Sequence, residues 1–217
     1  MGNTVRVKIP LSQIKKLKDD PQFILILRLC RYINQLTYIQ EAYLKGRNDQ
    51  DASPTQIRHF HNTFFFICGV LHEALEFARG LGKEFKIFPS FQKGLAKLPK
   101  HSDVKFLEEN EHLKKMRNKF VFHVDAEPFE EALRTYNVRL IKFLWAEGPK
   151  AGEIYYNLAD ELALNYYIGD HGSPEEEAKV QQEILTSAMN ALTLFVKGGH
   201  ALIKEYVERK LWKPEDE

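Results

Sequence analysis

Three residues in the stretch KKMRNKFVFHVD, residues 114–125, carry chemistry that their apolar neighbours lack: Arg117, Asn118 and His123. A guanidinium presents a planar fork of N–H donors that fits phosphate oxygens two at a time. An imidazole exchanges a proton near neutral pH. An amide next to the arginine can orient the guanidinium or a bound phosphate. These residue types suit proton transfer combined with stabilisation of negative charge. Lys114, Lys115 and Lys119 either add positive potential beside them or face solvent.

The spacing sets a condition. Arg117 and His123 are six positions apart, about 9 Å along a helix axis and about 120° around it, so one straight helix does not bring them together. On a wheel with Phe106 as origin, Leu113, Phe120, Met116 and Val124 fall between about −80° and 0°, and Arg117 falls near +20°, inside the apolar stripe. Asn118 and His123 lie on opposite flanks. A guanidinium in that position must be paired, or must face a cleft or another subunit. Two readings stay open. Arg117 pairs with a neighbouring carboxylate such as Glu73 or Glu76, and His123 is simply a cation near a helix C-terminus. Alternatively, the residues line a reactive cleft.

The elements that would position them are helices. Asp20-Pro21 and Ser53-Pro54 are each an N-cap followed by proline at the first helical position. The first opens a periodic run to about Lys45-Gly46, and the second leads into an apolar helix from Ile57 to Ala78 that ends near Gly80. Residues 81–100 contain Pro89 and Gly94 and read as short helical pieces and turns. Ser102-Asp103 opens the helix expected to carry the 114–125 stretch. DAEPFEEALRTY reads as another helix start with acids in its first turn. VRLIKFLW and EIYYNL flank EGPKAG, which is either a small β-hairpin or a helix end followed by a helix start. Asn157 to Tyr167 is helical. Ser173-Pro174 and three glutamates open a last helix running towards Trp212, with a possible bend at Gly198-Gly199. The expected architecture is mainly all-α, an up-down multi-helix bundle forming a single domain over residues 1–217, with a possible small β-hairpin in the C-terminal half.

Composition agrees with that class and narrows the functions. The 217 residues are 44% hydrophobic and 28% charged, enough to bury a real core. The net charge of +1 does not by itself call for nucleic acid. Charge is uneven, however. Residues 83–119 hold ten Lys/Arg against five Asp/Glu, and residues 147–183 hold nine acids against two lysines, a distribution that suits polyanion binding at one end. Cys30 and Cys68 sit in apolar runs and read as buried core thiols, too few for a disulfide framework or a zinc cluster. The N-terminus lacks the apolar core of a signal peptide, and no apolar run reaches membrane-spanning length, so the expected location is the cytoplasm.

Rival constellations are weaker. Glu109-x-x-His112 has the i,i+3 spacing of di-iron bundles but no second copy, and both read as surface groups. His59 and His61 point about 200° apart on a helix and cannot hold one ion together. His72 and Glu76 share a face but make only a pair. Phe64-Phe65-Phe66 and Tyr155-Tyr156 read as core. No metal site and no cofactor is expected, and no phosphate-cradling glycine loop is present.

Arg117-Asn118 followed by four residues and His123, near the end of a helix in an all-helical chain, resembles the motif of the HEPN superfamily (higher eukaryotes and prokaryotes nucleotide-binding domains). The resemblance covers the helical core, residues 20–145, and residues 146–217 would be C-terminal helices packed on it. It implies metal-independent RNA cleavage by Arg117, Asn118 and His123 of two protomers meeting at a homodimer interface, with Lys114, Lys115 and Lys119 binding RNA. It also implies a toxin or abortive-infection role, with an antitoxin or other protein partner. The alternative is a catalytically inactive helical module that binds a nucleotide, RNA or protein.

Overall fold

Asp20 caps the first long helix as its sequence requires. Its Oδ1 accepts the backbone N–H of Gln22 at 2.8 Å, and Pro21 supplies the first turn. The structure is a computed structural model and describes residues 11–17, 19–46, 54–121, 125–135, 145–146, 155–169 and 173–210. A short helix that the sequence pattern did not announce, α1 (Leu11–Lys16), precedes α2 (Pro21–Gly46). Next come α3 (Pro54–Gly80), α4 (Gly82–Phe85), α5 (Pro89–Lys93) and a 3-10 helix over Leu95–Lys100, the broken segment expected around Pro89 and Gly94. After these lie α6 (Ser102–Glu109), α7 (His112–Met116) and a π-helical turn, Arg117–Val121. The chain continues with α8 (Glu127–Thr135), α9 (Asn157–Ile168) and α10 (Pro174–Lys210). Among the described residues the strand pairing is a two-residue antiparallel contact, β1 (Trp145–Ala146) with β2 (Tyr155–Tyr156). Residues 147–154 between them lie outside the described residues, and the fold is mainly α-helical.

The long helices pack through their apolar faces. Ring contacts between Tyr43 and Phe60 and between Tyr32 and Phe77 show that α2 and α3 run antiparallel. The core joins Leu29 and Leu36 of α2, Phe64, Ile67 and Leu71 of α3, and Leu192, Phe195 and Leu202 of α10, all fully buried. Tyr206 of α10 is buried against Phe23, Phe85 and Phe88, and its hydroxyl donates to Asp20 Oδ2 at 3.2 Å. The last helix is thereby tied to the cap of the first long one.

α10 runs through Gly198-Gly199 as one helix. The glycines serve packing there. A Cβ placed at Gly94 would come 2.9 Å from Gly198 Cα, and one at Gly199 would come 2.9 Å from the Ile33 side chain. The backbone crossing at Gly94 has no flexible neighbour to give way. Gly94→Ala is therefore expected to destabilise the protein by about 1–3 kcal/mol, read as a lower urea midpoint at unchanged m-value.

Candidate functional site

The helix expected to run unbroken from Ser102 through the motif is interrupted twice. Asn110 ends α6, and Glu111 adopts a left-handed backbone, φ 55°, before α7 begins. At Arg117 the α-helical ladder then gives way to the π turn. A single 100° wheel does not apply across these breaks, so Arg117 does not lie in one continuous apolar stripe with Phe106. Local geometry sets its place, and π turns are frequent at functional sites.

Arg117 opens the π turn and lies over α3. Its Nε donates to Glu73 Oε1 at 2.8 Å, and one of its terminal nitrogens donates to Asn118 Oδ1, also at 2.8 Å. The side chains of Arg117 and Glu73 are 36% and 35% exposed, so the ion pair is accessible and not sealed in the core. Glu76, the other carboxylate considered, is instead bound by Arg79, whose second arm takes Glu108. Arg117 and Glu73 line a cleft of about 260 Å³ with Tyr32, Gln35 and Val70. Its walls are the antiparallel α2 and α3, with the π turn at one end. Gln35 is half-buried, and its side-chain amide has no hydrogen-bond partner among the described residues.

The structure thus places Arg117 and Asn118 together as one hydrogen-bonded unit. His123 lies outside the described residues. Of the lysines, Lys114 is paired with Glu111 at 3.0 Å. Lys119 is held by Glu127 and Asp125 at 2.8 and 3.1 Å, and these hydrogen bonds, Glu127 first, push its pKa up. Lys115 is exposed and has no carboxylate partner among the described residues. Two of the three expected RNA contacts are thus engaged with carboxylates.

His72 lies on the far side of Glu73, in a second cavity of about 190 Å³ between α3, α6 and α7. Burial lowers its pKa, Glu76 and Glu73 oppose that, and Arg117 and Arg79 add to the depression. The acids and bases lining this cavity satisfy one another, since Arg79 binds Glu76 and Glu108 and Lys114 binds Glu111.

His112 is not the surface group its sequence context indicated. Its ring packs on Phe106 and Tyr167, 5.4 Å from each, and Nδ1 is buried with no hydrogen-bond partner among the described residues. Burial pushes its pKa down to about 4, with Lys115 contributing. The Tyr167 hydroxyl is likewise buried without a regular hydrogen bond, beside Cys68, whose thiol is pushed up to about 12 by burial. Cys30 is only half-buried. His61 is 8% exposed among Phe60 and Phe65, while His59 is exposed with Nε2 2.8 Å from the Ala42 carbonyl. Phe64 and Phe65 are core residues, but Phe66 is 48% exposed. Among the described residues no cluster of three or more His, Cys, Asp or Glu side chains is placed to hold a metal ion, and no helix is long and apolar enough to cross a membrane.

Sequence patterns did not mark Gln35, Tyr32 or Glu73 as neighbours of one cleft. The antiparallel match of α2 and α3 brings them together, and no local motif encodes it. Comparison with protein-family models, curated proteins and solved structures finds no match in any of the three.

Proposed function

We propose that the chain is a metal-independent endoribonuclease of the HEPN type. It acts as a cytoplasmic homodimer in a toxin or defence role, restrained by a protein partner. Arg117, Asn118 and His123 form the reacting set, and an up-down arrangement of the helices belongs to the same reading. The supporting observation is the Arg117–Asn118 unit, a guanidinium held by two hydrogen bonds at the start of a π turn and at the edge of an open cleft. Such fixation prepares an arginine for the equatorial oxygens of a pentacoordinate phosphate. One His123 imidazole accepts the 2′-hydroxyl proton as the 2′-oxygen attacks phosphorus. The imidazolium of the second protomer gives a proton to the departing 5′-oxygen, leaving a 2′,3′-cyclic phosphate.

A second reading has one observation behind it. Glu73 neutralises the guanidinium, which suits a catalytically silent module that binds RNA, a nucleotide or a protein. Incubating mixed RNA with the purified protein in EDTA separates the two, with Arg117→Ala and His123→Ala alongside and folding checked by circular dichroism. The enzyme reading expects cleavage that disappears in both folded variants. Intact RNA with the unmodified protein rejects it and leaves the silent module.

A further inference from the structure

The cleft beside Arg117 does not stop at Gln35. On α2, Tyr38 lies one turn beyond Gln35. On α3, Phe66 lies one turn before Val70, within about 40° of it around the axis. The pairings Tyr43–Phe60 and Tyr32–Phe77 bring Tyr38 level with the turn from Phe66 to Val70. Both rings are open to solvent, Tyr38 at 73% and Phe66 at 48%, and they sit on facing helices beside the cleft. At the other end of the groove α2 exposes Arg28 and Arg31. The Arg28 guanidinium lies 4.7 Å from the Phe77 ring centroid, and neither arginine has a carboxylate partner among the described residues.

We infer that the α2–α3 groove binds single-stranded RNA. Bases stack on Tyr38 and Phe66, phosphates meet Arg28 and Arg31, and one base edge meets the Gln35 amide. Stacking platforms beside arginines are what a single strand requires, because every base offers a π-face and every linkage a negative charge. Gln35 can donate and accept at once, which matches a base edge. The cleft, about 260 Å³, has room for one heterocycle. Lys114 and Lys119 are ion-paired with Glu111, Asp125 and Glu127, whereas Arg28 and Arg31 of the groove have no carboxylate partner among the described residues. The inference rests on the RNA reading of the Arg117 site, and not on cleavage.

The test is fluorescence anisotropy with a labelled 12-nucleotide mixed-sequence 2′-O-methyl RNA, which lacks the attacking hydroxyl and stays intact. Tyr38→Ala and Phe66→Ala should each weaken binding about fivefold to a hundredfold, with unchanged circular dichroism, since both residues are at the surface. Gln35→Leu should weaken it by a smaller factor. The groove assignment is overturned if the unmodified protein does not bind the oligonucleotide or if both aromatic variants bind like the parent. It is also overturned if the aromatic variants convert a dimer to a monomer by sedimentation velocity, which would make the face a contact between copies. The failures are distinguishable. Cleavage of ordinary RNA with binding indifferent to Tyr38 and Phe66 removes the groove and keeps the nuclease. Binding through those rings with no cleavage keeps the groove and removes the nuclease.

Discussion

Arg117→Lys should lose RNA cleavage by about a hundredfold or more although it preserves the positive charge. Arg117 bonds Glu73 through Nε and Asn118 through a terminal nitrogen, both at 2.8 Å, and these two bonds fix the plane of the guanidinium. An ammonium has no such plane and cannot hold a carboxylate and an amide while presenting a fork to phosphate. The measurement is single-turnover cleavage in EDTA, which isolates the chemical step from product release. Glu73→Gln is the informative companion. Its amide oxygen still accepts from Nε, so the arginine stays placed while the neutralising charge is removed. A nuclease should keep cleavage within about tenfold of the parent in this variant. If Glu73→Gln were as inactive as Arg117→Lys, the carboxylate itself would be part of the chemistry and the assignment of roles would be wrong. Stability should move by no more than about 1 kcal/mol, because the pair is about a third exposed.

The second large effect is on acid stability. His61 is buried among Phe60 and Phe65, and burial alone pushes its pKa down to about 4. An unfolded chain returns it to about 6.5, so below that pH the unfolded state binds a proton that the folded state refuses. Stability is therefore full above about pH 6.5, falls as the pH drops, and stops falling from this source once the folded histidine also titrates near pH 4. A displacement of this size corresponds to about 3 kcal/mol for His61. His112 acts in the same direction and contributes less, because its ring is only partly buried. Urea midpoints at pH 7 and pH 5 measure the effect. His61→Phe, which replaces one ring by another inside an aromatic cluster, should narrow the difference between them. An undiminished difference in that variant would mean that the acid sensitivity resides in other groups.

What was legible in the sequence came from local rules. Asp20-Pro21 and Ser173-Pro174 announced their helices because a side-chain acceptor and a proline act within one turn. The Asp20 and Ser173 oxygens do accept the N–H groups of Gln22 and Glu176. Gly46 and Gly80 marked helix ends for equally local reasons. The break at Asn110–Glu111 was hidden because neither glycine nor proline marks it, and a glutamate takes the left-handed backbone. His112 was misread as exposed because Tyr167, one of the two rings covering it, comes from a helix more than fifty residues away. At the site, the Arg-Asn adjacency could be read from the sequence and its hydrogen bond is local. The alignment of Gln35 with Val70 and Glu73 depends on how two helices meet, which no short pattern records.

The π turn at Arg117–Val121 gives the site a length-encoded setting. A turn bonded i to i+5 holds one residue more than an α turn closed i to i+4. Removing a single residue there would let the ladder close i to i+4 and take the extra residue out of the turn. The extra residue is thus a matter of chain length, which a substitution within the turn keeps and a single deletion removes.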